Sequence, residues 1–341
     1  MKTEYIRPSH LSQDVYKRAG EIVRCGGLVA FPTETVYGLG GNAFDPLAAE
    51  KIFAAKGRPS DNPLIVHVAK PSDAEEFAET NEIYYKLAEH FMPGPLTVIL
   101  KKKNNIPDSV TGGLGTVAVR CPSHPVARML IENAGVPIAA PSANISGKPS
   151  PTKAVHVLED MDTKIPMILD GGESEIGVES TVIRLEEDGC TILRPGEVIA
   201  RELRAVVGNV YVAEAVTDPT AAGENPESPG MKYRHYAPKA KLVLLSGDDA
   251  QFKEYVNSYN GNCAVLSYTE NMADFTDARV LDAGSVNSPT EQMHKLFGLL
   301  RHCDEIDCEI IFGHLPPKKD EYLALYNRII RACGNEVIYL D

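Results

Sequence analysis

Short β-rich runs alternate with helical stretches from Gly26 to about Gly208, and this alternation is the feature that most limits what the chain can fold into. Several runs are apolar at consecutive positions, as in strands buried between two layers. A helix begins at Asp45-Pro46, where an N-cap residue precedes proline at the first helical position. The pattern predicts an α/β domain with a twisted, mixed sheet. The expected strands are Leu28–Phe31, Leu64–Val68, Leu96–Leu100, Val117–Arg120, Pro137–Ala140, Met167–Leu169, Thr181–Leu185 and Thr191–Leu193, and the expected helices cover about 45–53, 82–91 and 124–133.

The segment from 213 to about 230 interrupts this pattern, because it has almost no large apolar side chain and no periodicity. Repeated βα units resume after Ala240, and Ser288-Pro289-Thr290-Glu291 predicts a capping box at the start of one helix. These units predict a second, smaller Rossmann-like domain with a parallel sheet, although the chain has no GxGxxG motif for a dinucleotide. We therefore expect domains at 1–212 and 240–341, joined by a linker at 213–239.

Composition places the chain among globular proteins and indicates a cytoplasmic location. Apolar residues make up 43% and charged residues 24% of the 341 residues. No run approaches the roughly 20 apolar residues that cross a bilayer, and residues 1–5 do not resemble a secretion signal. The seven cysteines form no CxxC pair and the nine histidines form no HExxH motif. We expect no protein-held metal, only Mg²⁺ that arrives with a nucleotide.

The net charge of −13 disfavours nucleic acid as a tightly bound partner. A protein that grips tRNA along its backbone usually carries a basic surplus, whereas this chain has 34 Lys+Arg against 47 Asp+Glu. Weak or no direct tRNA binding is therefore expected. Small anionic ligands held by a few placed cations fit the composition better.

Polar side chains gather where several of the predicted strands end. Thr33, Glu34 and Thr35 follow the first strand, and Lys56 and Arg58 flank a glycine before a proline, a placement suited to phosphate. Arg120 ends an otherwise apolar strand and needs a partner, either a structural Asp/Glu or a ligand carboxylate. A run of hydroxyls, an amide and a lysine follows another buried strand at 142–150.

Each of these segments alone is also compatible with a capped turn or a solvated surface loop, and a lone histidine such as His67 is more often structural than a ligand. The chain has no GxxxxGK[ST] phosphate loop and no GxSxG nucleophile elbow. Together the polar strand ends favour catalysis by positioning and charge stabilisation on a phosphorylated substrate, as in nucleotidyl transfer.

Taken in order, these segments resemble the threonylcarbamoyl-AMP synthase family in its long, two-domain form. Lys56-Gly57-Arg58 with Ser142-Ala143-Asn144 matches the family's KxR…SxN signature. Ser228 to Pro238 resembles the segment that marks the long form. The further matches are Pro32 to Gly38, Gly115 to Arg120, Glu179 to Val182 and Leu193 to Gly196.

The resemblance implies a YrdC-type α/β domain followed by a Rossmann-like domain, and an enzyme that makes L-threonylcarbamoyl-AMP from L-threonine, bicarbonate and ATP. The product would pass to a tRNA threonylcarbamoyl transferase complex that modifies adenosine beside the anticodon. By matching position, the implied catalytic residues are Lys56, Arg58, Ser142 and Asn144. The implied threonine ligands are Thr35, His67, Arg120, Ala140 and Ser180. The implied ATP ligands are Lys56, Arg58, Asn62, Thr116, Ser142, Ser150, Arg194 and Tyr236.

Two other functions compete with this interpretation. One is a nucleotide- or RNA-binding module without turnover, which the acidic net charge disfavours. The other is carbamoyl transfer of the hydrogenase-maturation kind, which a related domain performs within much longer proteins. Residues 231–238, rich in cations and rings, are predicted to form a lid over the cavity.

Overall fold

The computed structural model describes residues 2–57, 62–218, 236–275 and 278–340. Its contacts divide the chain into two compact units, the first comprising 1–146 and 150–232 and the second comprising 147–149 and 233–341. Most of the predicted linker, at 219–235, and most of the predicted lid lie outside the described residues. The described start of the linker forms a 3-10 turn, Glu214–Val216, in which Ala215 and Val216 are buried. Among the described residues, no helix combines the length and apolar content needed to cross a membrane.

The first unit is built on a mixed twelve-stranded sheet, as the described residues define it. Parallel pairs such as β4 with β7 lie beside antiparallel pairs such as β6 with β7. The strand order is β1-β9-β2-β3-β8-β4-β7-β6-β10-β11-β12, with β5 paired to β6. The strands are β1 (Glu4–Ile6), β2 (Val29–Phe31), β3 (Gly38–Asn42), β4 (Ile65–His67), β5 (Ala78–Glu79), β6 (Leu96–Lys102), β7 (Thr116–Arg120), β8 (Ile138–Ala140), β9 (Met167–Leu169), β10 (Thr181–Glu186), β11 (Gly189–Arg194) and β12 (Asn209–Val212).

Helices pack on this sheet and begin at the signals that the sequence contains. Asp45 accepts a hydrogen bond from the Leu47 amide, and Asn81 accepts one from the Tyr84 amide, so both serve as N-caps. The mixed α/β architecture predicted from the sequence is confirmed. The helices of the first unit are α1 (Gln13–Arg24), α2 (Pro46–Lys56), α3 (Glu82–Phe91), α4 (Asp108–Thr111), α5 (Pro125–Ala134), α6 (Ala154–Met161) and α7 (Ala200–Val207).

Strand β3 was not expected, because its sequence is rich in glycine. The glycines have a packing reason: a Cβ on Gly40 would lie 2.6 Å from Cγ2 of Ile138 and 2.7 Å from the Phe31 ring. A Cβ on Gly41 would lie 3.0 Å from the Ala48 side chain. Close approach of neighbouring side chains therefore explains glycine in a strand. β1, β5 and β12 are the other strands missing from the prediction.

The second unit contains a five-stranded sheet in the order β15-β14-β16-β13-β17. Every pairing in it is parallel, which confirms the predicted parallel α/β domain. At the start of α9, Oγ of Ser288 accepts from the Glu291 amide as expected, but Oε2 of Glu291 accepts from Ser285 instead of closing the capping box. The elements are β13 (Lys241–Ser246), α8 (Asp249–Ser258), β14 (Cys263–Ser267), β15 (Arg279–Asp282), α9 (Pro289–His302), β16 (Ile310–His314), α10 (Leu323–Ala332) and β17 (Val337–Tyr339).

Candidate active site

One register row crosses six strands of the first unit and carries four buried polar side chains. Residues in register on neighbouring strands point to the same face of a sheet, so their side chains are neighbours. The row brings together three of the predicted ligands and adds a threonine to them. Its successive Cα partners are Ile138 on β8, His67 on β4, Arg120 on β7, Thr97 on β6, Val182 on β10 and Arg194 on β11.

An apolar strip lies beside this row on the same face and shares Val182 with it. Ile65, Ile99, Ala118, Val182 and Leu193 form a small cluster that is separate from the main core. Ala140, a predicted threonine ligand, is the Cα partner of Ile65 in this strip. The alternate residues of the same strands pack into the main core on the other face. A polar row above an apolar strip is typical of ligand sites, where a few placed polar groups give orientation.

Arg120 has a structural carboxylate partner, which answers one question that the sequence left open. Its Nη2 donates to Oε1 of Glu34 at 2.7 Å, and each side chain is only 5% exposed. Oε2 of Glu34 accepts from the Ser123 amide at 3.1 Å. Burial alone would raise the pKa of the Glu34 carboxyl, but the Arg120 charge and these hydrogen bonds hold that pKa below its ordinary value. The pair is therefore ionised.

His67, next to Arg120 in the row, is held in its neutral form. Burial, and after it the Arg120 charge, lower the pKa of His67 to about 3. Nδ1 lies 3.1 Å from the carbonyl oxygen of Ile65. In the tautomer that donates from Nδ1 to this carbonyl, Nε2 is the acceptor of the neutral ring.

Ser180 connects β6 to β11 through its hydroxyl. Its Oγ lies 2.8 Å from Oγ1 of Thr97 and accepts from Nη2 of Arg194 at 3.1 Å. Nε of Arg194 also donates to the Ser180 carbonyl oxygen at 3.0 Å. A predicted threonine ligand is thereby bonded directly to a predicted ATP ligand.

Lys56 ties together the loop that follows β8. Its Nζ donates to the carbonyl oxygens of Ser142 and Asn144, at 2.5 and 2.7 Å, and is 3.2 Å from Oδ1 of Asn144. Oγ of Ser142 donates to the same Oδ1. The structure thus brings three of the four predicted catalytic residues into one cluster. Arg58 lies in 58–61, outside the described residues.

The remaining predicted ligands of the first unit are buried or half-buried. Oγ1 of Thr35 lies 2.8 Å from that of Thr33, and Asn62 is buried, with no hydrogen-bond partner for Oδ1 among the described residues. Ser150 donates to Oε1 of Glu179 at 2.6 Å, and Thr116 is half-buried at the start of β7. Tyr236 belongs to the second unit, where its ring packs against Phe297.

Sequence reasoning gave no role to three side chains that shape the site: Glu34, Thr97 and Glu179. A signal existed for Thr97, since a hydroxyl within a fully buried strand needs a polar neighbour. Glu34 and Glu179 lie in two of the motif segments, Pro32 to Gly38 and Glu179 to Val182, but their sequence does not indicate their partners. Their partners, Arg120 and Ser150, come from distant parts of the chain.

Cations and hydroxyls at the strand ends, above an apolar strip, form the kind of arrangement that suits a site for anionic substrates in an α/β protein. Residues 21–196 match a family model of the Sua5/YciO/YrdC type, described as telomere recombination, and residues 198–334 match the C-terminal domain of threonylcarbamoyl-AMP synthase. The chain belongs to the threonylcarbamoyl-AMP synthase family, and it is an enzyme of this kind.

Similar proteins span the whole chain. Threonylcarbamoyl-AMP synthase of Pyrococcus abyssi is 44% identical over 330 residues, which are 94% of each chain. That of Bacillus subtilis is 43% identical over 326 residues, covering 94% of this chain and 93% of the relative. The crystal structure of P. abyssi Sua5 complexed with L-threonine superposes with a TM-score of 0.91 at 41% identity, covering 100% of both chains. The family and fold inferred from the motifs are therefore confirmed.

Proposed function

We propose that this chain makes L-threonylcarbamoyl-AMP from L-threonine, bicarbonate and ATP at the row that contains His67, Arg120 and Thr97. The observation that carries the proposal is Arg120. Its guanidinium is buried next to neutral His67, and its Nε has no hydrogen-bond partner among the described residues. A buried donor without a partner is costly, and a substrate carboxylate is the group that an arginine fork receives best.

Threonine would be bound by Thr35, His67, Arg120, Ala140 and Ser180. Arg120 takes its carboxylate, and the neutral ring of His67 forms a hydrogen bond with the amino acid. The amine nitrogen forms a bond to the bicarbonate carbon, with loss of water, and gives a carbamate. A carbamate oxygen then attacks the α-phosphorus of ATP, and the bond to the leaving pyrophosphate breaks.

ATP would be bound by Lys56, Arg58, Asn62, Thr116, Ser142, Ser150, Arg194 and Tyr236, with Lys56, Arg58, Ser142 and Asn144 closest to the reacting phosphate. Cations placed around it offset the charge that builds on its oxygens. Glu34 and Glu179 are already bonded to Arg120 and Ser150. Mg²⁺, which binds through phosphate oxygens and retained waters, therefore fits as an ion carried by ATP that neutralises phosphate charge.

Pyrophosphate release is the direct test, with ATP and bicarbonate present and each amino acid supplied in turn. Threonine should be preferred. Valine should be rejected strongly, because it leaves polar groups of the site unpaired, whereas serine loses a methyl contact of about 1–3 kcal/mol. Arg58→Ala should lower transition-state stabilisation by about 2–4 kcal/mol. Equal kcat/KM for valine and threonine, or unchanged turnover in Arg58→Ala and Lys56→Ala, would contradict the assignment.

The product would pass to a tRNA threonylcarbamoyl transferase complex in the cytoplasm. The net charge of −13 supports weak or no direct contact with tRNA. A gel-shift titration at two salt concentrations tests this: a complex whose affinity falls steeply with salt would show that the protein itself grips the RNA backbone.

A further inference from the structure

The carboxylate of Glu34 accepts two hydrogen bonds from different parts of the chain. Oε1 accepts from Nη2 of Arg120 at 2.7 Å, and Oε2 accepts from the Ser123 amide at 3.1 Å. The glutamate is 86 residues from the arginine in sequence, and both side chains are almost fully buried. A carboxylate with both oxygens engaged has one orientation, and it transmits that orientation to the guanidinium.

Glu34 is itself held in place by the turn that carries it. Oγ1 of Thr33 donates to the Val36 carbonyl oxygen at 2.6 Å and accepts from the amides of Thr35 and Val36, each at 3.2 Å. The carbonyl oxygen of Glu34 accepts from the Ile176 amide at 2.8 Å. The backbone of Glu34 is therefore fixed by hydrogen bonds on both sides of the turn, and precise placement of a binding side chain requires such support.

The bond to Glu34 leaves most of the Arg120 fork uncommitted. A guanidinium has five N–H donors, and Glu34 engages Nη2 alone. Nε is buried and has no partner within the described part of the chain. Glu34 thus compensates the buried charge of Arg120 and still leaves donors for a second carboxylate.

We propose that Glu34 is a positioning residue that fixes the guanidinium of Arg120 so that its free edge receives the substrate carboxylate. The inference rests on the proposed assignment of Arg120 to threonine. Only a carboxylate can serve in this position. An amide would place an NH₂ group against either the Arg120 guanidinium or the Ser123 amide, both of which are donors.

The test compares Glu34→Gln with the natural protein in steady-state pyrophosphate release. The KM for threonine should rise tenfold or more, because Arg120 is no longer held in place. The KM for ATP should stay within twofold, because the cluster of Lys56, Ser142 and Asn144 is unchanged. Glu34→Asp keeps the charge and should recover part of the threonine affinity. Glu79→Gln is the matched control, since its salt bridge with Lys101 is exposed on both sides, and it should leave both KM values unchanged.

An unchanged or lower threonine KM in Glu34→Gln would overturn the inference, because Glu34 would then act only as a counter-ion that competes with the substrate. If Glu34→Gln does not fold, Glu34→Asp decides by the same comparison: a KM increase confined to threonine supports positioning, and equal changes for both substrates refute it. Arg120→Gln distinguishes a failure of the proposed function of Arg120 from a failure of the positioning role of Glu34. An unaffected threonine KM there would refute the proposed function of Arg120, whereas a large increase there with none in Glu34→Gln would refute only the role of Glu34.

A double variant tests whether Glu34 acts through Arg120. In the Arg120→Gln background, Glu34→Gln should cause no further rise in the threonine KM, because the group that it positions is gone. A further rise of the same size as in the natural background would show that Glu34 acts independently of Arg120, and would also overturn the inference.

Discussion

Arg194 donates two hydrogen bonds to Ser180, from Nε to the carbonyl oxygen at 3.0 Å and from Nη2 to Oγ at 3.1 Å. Ser180 is a predicted threonine ligand and Arg194 a predicted ATP ligand. The hydroxyl is also within 2.8 Å of Oγ1 of Thr97, which lies in register with Arg120. The two proposed subsites are therefore linked through hydrogen bonds of one serine.

Ser180→Ala should impair the use of both substrates. It removes the acceptor for Nη2 of Arg194 while the bond to the main chain remains. Since a hydrogen bond to a charged group contributes about 1.5–3 kcal/mol, kcat/KM should fall for threonine and for ATP alike. Thr191→Val is the control, because its hydroxyl lies on the same strand as Arg194 and donates to Glu186. A fall confined to one substrate would show that the subsites are independent.

Lys56→Met should lower the free energy of unfolding as well as activity. The Nζ donor satisfies carbonyl oxygens of Ser142 and Asn144, and Lys56 is 3% exposed. Leaving such acceptors unpaired costs about 1–3 kcal/mol. Urea denaturation measures the loss, and Lys17→Met is the control, because that lysine lies exposed on α1. Equal stability of the two variants would contradict a structural role for Lys56.

Gly40→Ala should destabilise the first unit through β3. The added methyl would meet Ile138 at 2.6 Å and Phe31 at 2.7 Å, and overpacking of a core costs about 1–3 kcal/mol. Gly115→Ala is the control, since a Cβ there meets nothing within 4 Å and the backbone is not in the left-handed region. The melting temperature of Gly40→Ala should be lower than that of Gly115→Ala. A normal value for Gly40→Ala would show that β3 tolerates a side chain.

Acid should destabilise the protein through His67. Its pKa is lowered from 6.5 to about 3 by burial and by Arg120, so the unfolded chain takes up a proton that the folded chain does not. Its contribution to stability is therefore full above pH 6.5 and is lost as the pH falls toward 3, by up to about 1.4 kcal/mol per pH unit.

His67→Gln should flatten this dependence. The informative window is pH 6.5 to 5, where Glu34, whose pKa lies below its ordinary value of 4.5, stays ionised in both states. His124 and His314 also have lowered pKa values and remain in the variant, so the difference between the two proteins isolates His67. Parallel unfolding curves in this window would mean that His67 is protonated equally in the folded and unfolded chains.

The sequence by itself determined the elements and the family. Asp45-Pro46 starts a helix through contacts within a few residues, and the short run at 96–100, rich in apolar and β-branched residues, forms the predicted strand, because capping and residue pattern are local properties. Ordered motifs such as Lys56-Gly57-Arg58 and Ser142-Ala143-Asn144 carried the resemblance in the same way. Only the tertiary structure decided that Gly38–Asn42 is a strand, because its glycines are required by Phe31, Ala48 and Ile138 from other elements. It also decided that Glu34 pairs with Arg120. That bond spans 86 residues and depends on how the loop after β2 and strand β7 come together in the folded sheet, which the pattern of either segment alone does not determine.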